Sequence, residues 1–216
     1  SPFLNGIPAT NSSTGDVRIE FYAAIRTPEP FLPAGTVIAR EQTYVHTFHK
    51  EDAPKQAFAG SEEDDRQVVF SGPHFKATFD KQSGLLVSYR YKKQEYIHNG
   101  QGPRPFFWRA PTDNDYGAKL PIRLKAWKEA SYQEPKAESF NVVRDKDTTA
   151  VKVTYRFPQT DARWDITYKV YGNGVIKVDN HFVAENAQTP MIPRVGLRMQ
   201  LPARITSLTY YGRGPE

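Results

Sequence analysis

The amino-acid sequence predicts an all-β protein, and three observations lead to this fold class. The 216 residues include 17 Pro and 14 Gly, which favour turns, and 13 Phe, 12 Tyr and 3 Trp, which favour strands. Apolar and polar residues alternate over many short segments, as expected for strands with one buried face. Glycine- and proline-rich stretches separate these segments. The sequence therefore predicts a large antiparallel β-sandwich of about a dozen strands and one short helix.

Two strands are predicted near the N-terminus. Alternation marks residues 16–24 and 36–45, which flank a proline-rich turn at residues 27–30. An immunoglobulin-like sandwich needs about seven strands and about 100 residues. Residues 1–48 are therefore too few for a complete sandwich of this kind.

Residues 49–66 are predicted to be a linker, because apolar periodicity disappears between Phe48 and Arg66. Four consecutive acidic residues, Glu62 to Asp65, lie in this segment. Adjacent like charges are typical of a solvated, flexible chain, although such carboxylates could also form a cation site.

Residues 67–216 are predicted to form the main domain. The pattern indicates a hairpin of residues 75–79 and 85–91, then strands at residues 150–157, 164–171 and 175–183. The helix is predicted to begin at Pro121 and to extend to Ser131, because proline suits a first helical position and alanines favour the remainder.

Composition and motifs exclude several classes of function. The absence of cysteine excludes disulfides, Cys-ligated zinc and thiol nucleophiles. The net charge of +5 is spread along alternating strands, so no nucleic-acid partner is predicted. No apolar window is long enough for a membrane span, and no signal-peptide pattern opens the chain. The five histidines show no metal-ligand spacing, and no metal site is predicted.

The most informative segment is residues 106–117, Phe-Phe-Trp-Arg-Ala-Pro-Thr-Asp-Asn-Asp-Tyr-Gly. Bulky aromatics followed by proline and short polar side chains predict a buried strand that turns sharply into a polar loop. Gly117 could adopt a positive φ at the end of this turn. Asp113 and Asp115 are predicted to cap the backbone and not to act as a catalytic pair, because carboxylates at i and i+2 of a turn diverge.

This segment resembles the R-A-P-x-D-N-D stretch in the C-terminal, mutarotase-like domain of the large bacterial β-galactosidases of glycoside hydrolase family 2. Arg109, Asp113, Asn114 and Asp115 carry the match. Further stretches agree: residues 127–132 resemble W-K-x-A-G-x-Y, residues 192–197 resemble L-P-R-[IV]-G-L, residues 211–216 are similar to G-x-G-P-x-E, and residues 34–42 resemble a segment of the preceding sandwich.

The resemblance implies a galactose-mutarotase-like supersandwich preceded by a partial immunoglobulin-like sandwich. It also implies a parent protein that hydrolyses terminal β-D-galactosides with two glutamates on a TIM barrel. No catalytic residue is expected in this chain, so whether it is an enzyme on its own stays open. The implied partners are the remainder of the parent chain, its galactoside substrate and a second copy in a homo-oligomer. No cofactor is expected here, since Mg²⁺ or Na⁺ would be held by the barrel, and bacterial cytoplasm and periplasm are not distinguished.

The resemblance further implies a mobile loop that opens and closes the sugar site. Carried over to this sequence, Gly117 is the hinge, and the loop is formed by Ala118, Lys119, Leu120 and Pro121. A plain connection between a strand and a helix is the alternative.

The three tryptophans are expected to have structural roles, since the family's tryptophan platform would lie beyond the end of this chain. Trp108 and Trp127 are predicted to be core residues. Trp164 lies between Arg163 and Asp165 on an alternating strand, so it could be exposed.

Two other classes of function are possible on sequence grounds. A stand-alone carbohydrate-binding or aldose-epimerase-like module would use a His and a Glu as acid and base. His181 and Glu185 are candidates, because residues four apart lie on the same side of an extended strand. A purely structural domain without a ligand is the third possibility.

Overall fold

The computed structural model describes residues 17–46, 60–145, 148–186 and 189–210. They belong to two units, within residues 1–52 and within residues 53–216. In the first unit, strand β1 (Val17–Ala24) pairs antiparallel with strand β2 (Val37–His46). Both strands were predicted from their alternation. The assignment of residues 1–48 to an immunoglobulin-like sandwich stays a prediction.

The second unit contains eleven described strands, which form three antiparallel sheets. In chain order they are β3 (Gly60–Glu63), β4 (Gln67–Ser71), β5 (Phe75–Asp80), β6 (Leu86–Tyr91), β7 (Gln94–Glu95), β8 (Arg104–Phe106), β9 (Ser139–Arg144), β10 (Thr148–Phe157), β11 (Ala162–Tyr171), β12 (Ile176–Ala184) and β13 (Gly196–Arg198). Strands β3 to β7 form one sheet in sequence order, β9 to β12 form a second, and β8 pairs with β13. The predicted all-β, antiparallel sandwich is confirmed.

The core lies between the five-stranded and the four-stranded sheet. Alternate residues of β5, β10 and β11 are buried, as the period of two in the sequence requires. The rings of Phe79 and Tyr168, one from each sheet, lie edge to face with centroids 5.2 Å apart. The buried hydroxyl of Tyr155 donates to the carbonyl oxygen of Ser83 at 2.9 Å. Burial raises the pKa of Tyr155 and of Tyr168 far above the ordinary value, so both phenols stay neutral donors.

Three short helices replace the single predicted helix. They are α1 (Asp113–Gly117), α2 (Leu120–Arg123) and α3 (Lys125–Tyr132), and a 3₁₀ turn follows at Pro158–Thr160. The prediction of one helix was wrong because Leu124 leaves the helical region and divides the predicted segment into α2 and α3, and because α1 precedes it as a separate helix. None of the helices in the described ranges is long and apolar enough to cross a membrane.

The tryptophans all lie in the core. Trp108 and Trp127 are buried, as predicted. Trp164 is also buried, at 2% exposure, which corrects the expectation that it could be exposed. Its position in the alternation decides this, because Ala162, Trp164 and Ile166 all point inward from β11.

The acidic end of the predicted linker is ordered structure. Residues 60–63 form β3, and Glu63 forms ion pairs with Lys81, at 2.9 Å, and with Arg144. These two basic side chains lower the pKa of Glu63. Asp64 accepts backbone N–H bonds from Arg66 and Gln67 and so closes the turn into β4. Residues 49–59 lie outside the described residues, and the predicted domain limits stay predictions.

Gly84 should be intolerant of any side chain. It has a φ of +73°, and an added Cβ would lie 2.4 Å from Val153 Cγ1 and 2.6 Å from Tyr155 Oη. We expect Gly84→Ala to lower the free energy of unfolding by about 2–4 kcal/mol, because backbone strain adds to overpacking. Gly100→Ala is the matched control: its φ is +72°, but the nearest atom lies at 3.8 Å, so a loss of about 1–2 kcal/mol is expected from strain alone. Equal losses in urea denaturation would contradict the packing argument.

Candidate functional site

The aromatic part of the 106–117 segment is anchored in the core. Phe107 is fully buried, and its ring centroid lies 4.7 Å from that of Trp127 on α3. The Phe107 backbone N–H donates to Ser131 Oγ at 2.9 Å, and Ser131 Oγ donates in turn to the Trp127 carbonyl at 2.8 Å. This buried serine, which the sequence analysis did not single out, ties the end of β8 to α3.

Arg109 and Asp115 form a bidentate ion pair. Arg109 Nη1 lies 2.6 Å from Asp115 Oδ2, and Nη2 lies 2.9 Å from Oδ1. The backbone N–H of Thr112 donates to the same carboxylate at 2.8 Å. The Arg109 guanidinium has the largest effect on Asp115, and the Thr112 N–H has the next largest; together they lower the pKa of Asp115 to about 2. Asp115 is therefore a fixed anion with a structural role, which suits neither a general acid nor a general base at neutral pH.

The predicted turn at Asp113, Asn114 and Asp115 is instead the first turn of α1. Thr112 is the N-cap, and Asp115 is the third helical residue of a capping box. The sequence contained this signal, since Thr-x-x-Asp has the spacing of a capping box. It was missed because short polar side chains favour turns and helix starts alike.

The expected hinge conformation lies at Lys119 and not at Gly117. Gly117 ends α1 without a positive φ, and an added Cβ there would meet no atom within 4 Å. Lys119 has φ 55° and ψ 28°, in the left-handed region, and separates α1 from α2. Ala118 caps the end of α1, and Leu120 begins α2. The mobile-loop role of these residues stays a prediction.

A concavity of about 140 Å³ lies between the 106–117 segment and α2. Its wall also includes residues 191–193, which overlap the third motif segment, residues 192–197. The lining residues are Trp108, Arg109, Pro111, Asp115, Leu120, Pro121, Leu124, Met191, Ile192 and Pro193.

Two further contacts bring the motif segments together. Gly196 of β13 pairs with Phe106 of β8, so the 192–197 segment runs beside the 106–117 segment. Trp127, which opens the second motif segment, residues 127–132, donates its indole N–H to the Pro190 carbonyl at 3.3 Å. The structure thus places two segments that are distant in sequence, residues 106–117 and 192–197, around one concavity, while Trp127 of the 127–132 segment packs against Phe107. The fourth segment, residues 211–216, lies outside the described residues.

His181 and Glu185 are engaged by different partners. His181 Nδ1 lies 3.8 Å from Asp165 Oδ2, and its side chain is 74% exposed. Glu185 Oε2 lies 2.5 Å from Arg156 Nη1, and the same guanidinium also binds Glu138. Neither contact joins His181 to Glu185, so neither favours an acid–base pair.

The fold and the site define an antiparallel β-sandwich domain with a surface concavity that two motif segments line. Residues 71–216 match the family described as beta galactosidase small chain. This chain therefore belongs to the β-galactosidase small chain family.

Similar proteins include β-galactosidases from several bacteria. One from Priestia megaterium is 34% identical over 155 residues, which cover 72% of this chain and 15% of that protein. One from Clostridium acetobutylicum is 35% identical over 153 residues, or 70% of this chain and 17% of that protein. A β-galactosidase small subunit from Latilactobacillus sakei is 31% identical over 175 residues, with 70% of this chain and 53% of the subunit covered. The chain thus spans less than a fifth of the first two relatives.

The Arg109–Asp115 ion pair should make the stability of this domain depend on pH in acid. The folded pKa of Asp115, about 2, lies below the unfolded value of about 3.9, so the unfolded chain binds the proton more readily. The stabilisation is present above about pH 5 and is lost as the pH falls towards 2. We expect Asp115→Asn to be less stable than wild type at neutral pH and to approach it at low pH, in urea denaturation across this range. Asp113→Asn controls for the loss of a negative charge from the same helix. A difference in stability between wild type and Asp115→Asn that stays constant in acid would contradict the role of the ion pair.

Proposed function

We propose that this chain is a C-terminal portion of a β-galactosidase that hydrolyses terminal β-D-galactosides, and that it shapes the mouth of the active site without supplying a catalytic residue. One observation carries the proposal: two motif segments, residues 106–117 and 192–197, both line one surface concavity, where Asp115 and Arg109 fix the wall. Motif residues that served the core alone would not need to meet at the surface.

The state of the carboxyl groups supports a non-catalytic role. A retaining glycosidase needs one carboxyl group with a raised pKa, to act as acid, beside a carboxylate nucleophile. Among the described residues, every carboxyl group with a shifted pKa has it lowered: Glu20, Glu63, Asp64, Glu95 and Asp115. Glu95 shows why, since burial acts to raise its pKa but bonds from Ser88 and the Ile97 and Tyr89 N–H groups outweigh that effect.

The surface around the concavity suits contact with the remainder of a parent protein. Tyr116 on α1, Ile122 on α2 and Met191 at the concavity are all exposed. Exposed apolar side chains on the contacting helices α1 and α2 and beside the concavity are candidates for contact with another part of the parent. In the proposal, the catalytic barrel of the parent covers these side chains, and residues 117–121 approach the bound galactoside.

The first test is activity. We expect the isolated 216-residue chain to show no hydrolysis of a chromogenic β-galactoside, because both catalytic carboxylates lie elsewhere in the parent. The chain should be produced in a host that lacks its own β-galactosidase, and the complete parent serves as the positive control. Turnover that increases in proportion to the chain would contradict the non-catalytic assignment.

The second test addresses the loop at the mouth. Proline cannot adopt the φ of 55° at Lys119 and would lose the N–H bond to the Tyr116 carbonyl. We expect Lys119→Pro in the complete parent to change both kcat and KM for lactose, as substitutions at hinges do. The expected change in kcat/KM is about tenfold.

Two control substitutions separate a loop effect from a general disturbance. Lys119→Gly keeps the left-handed conformation, and Gly117→Ala adds a methyl group in open space at a helical position. Both should retain wild-type kinetics. Unchanged kinetics in Lys119→Pro would reduce residues 117–121 to a plain connection between α1 and α2.

A further inference from the structure

A second cleft lies on the same unit, between β8, β13 and the end of α3. Its volume is about 60 Å³, and its lining includes Arg104 and Arg198 together with the amide side chains of Gln101 and Gln200. We call it the arginine cleft. None of the residues that line the concavity beside α2 belongs to it.

Arg104 is a buried cation whose described acceptors are all neutral. It is only 9% exposed. Its Nη2 donates to the carbonyl oxygens of Ser131, at 3.3 Å, and Gln133, and its Nη1 donates to Gln101 Oε1 at 3.3 Å. Within the described residues it forms no ion pair, and its Nε–H has no acceptor. Buried arginines are rare without an anionic partner.

Arg198 lies directly opposite Arg104. The two residues are register partners in the antiparallel pair of β13 and β8, so their side chains leave the same face. The Arg198 guanidinium lies 5.2 Å from the ring centroid of Phe106 and 5.9 Å from that of Tyr132. These rings hold it at the mouth of the cleft. In the part of the chain that the structure describes, Arg198 has no carboxylate partner either.

The neighbouring acidic residue does not neutralise this pair. Glu134 follows Gln133 in sequence, but it lines a different depression, together with Asp64 and Asp80. Two like charges directly opposite each other in a sheet destabilise it. An anion between Arg104 and Arg198 would remove this repulsion and would accept hydrogen bonds from both guanidinium groups.

We propose that the arginine cleft binds a carboxylate group between Arg104 and Arg198. The planar guanidinium fork matches a carboxylate, and amide N–H groups of Gln101 and Gln200 can complete the set of donors. One water molecule needs a cavity volume of roughly 10–15 Å³. The cleft, at about 60 Å³, is therefore large enough for a carboxylate group but too small for a whole drug-sized ligand. The carboxylate belongs either to a small free acid or to an Asp or Glu side chain of the parent outside this chain.

Acetate is the probe for the test, and acetamide is its neutral control. Saturation-transfer NMR on the acetate methyl group should show saturable binding to the 216-residue chain at constant ionic strength, with acetamide giving none. Arg198→Gln should weaken acetate binding at least about tenfold, the factor expected for a lost charge-assisted hydrogen bond. Arg198 is exposed, so circular dichroism should show an intact fold.

The control variant is Arg194→Gln, which removes an exposed arginine of the same segment that does not line the cleft. It should bind acetate as wild type does. Absence of saturable acetate binding to the chain, equal binding of acetamide, or unchanged acetate binding by Arg198→Gln would each overturn the proposal.

Repeating the measurement on the complete parent distinguishes the two sources of the carboxylate. Arg198-dependent acetate binding there identifies the ligand as a small free acid. Binding by the isolated chain but not by the parent identifies a side-chain carboxylate of the parent that already occupies the cleft. Because the readout is acetate binding, the outcome does not depend on the catalytic role that we propose for the parent.

Discussion

The packing of Phe107 is the contact on which the rest of this domain depends. Its fully buried ring lies between the helical segment and the four-stranded sheet. Its neighbours are the rings of Trp127 on α3, at 4.7 Å, Phe157 on β10, at 5.0 Å, Trp164 on β11, at 5.3 Å, and Phe182 on β12, at 5.8 Å. Each such pair contributes about 0.5–1.5 kcal/mol beyond the burial of area. Phe107 therefore fixes where β8 ends and where the polar part of the motif begins.

A series of polar contacts connects Phe107 to the candidate site. Ser131 first satisfies the backbone of Phe107 and links it to α3. Arg109 then emerges two residues later, and its ion pair with Asp115 holds the start of α1 over the concavity. The last fixed point is the end of α1, because the left-handed Lys119 interrupts the helical hydrogen bonding that follows. The contacts that start at Phe107 therefore extend as far as the end of α1.

Sequence patterns predicted the features of this domain that are set locally. Strands β5, β10 and β11 were predictable because an alternation of period two is written in consecutive residues. The same alternation indicates that Trp164 is buried, as the structure shows. Its charged neighbours, Arg163 and Asp165, instead suggested that it could be exposed. The left-handed Lys119 could not be predicted, since lysine has no intrinsic preference for that conformation. The concavity could not be predicted either, because it depends on the pairing of β13 with β8 across a long stretch of chain.

Two arginines that flank the same aromatic segment illustrate how the environment assigns different roles to one residue type. Arg109 forms an ion pair with the carboxylate of Asp115 in the same chain, and this ion pair holds α1 in place. Arg104, at the start of β8, is more deeply buried but faces carbonyl and amide oxygens and a second guanidinium. Neutral acceptors satisfy the hydrogen-bonding geometry of a guanidinium without balancing its charge. A paired arginine is therefore part of the framework, whereas an arginine with uncompensated charge is the one that can attract a ligand from outside the chain.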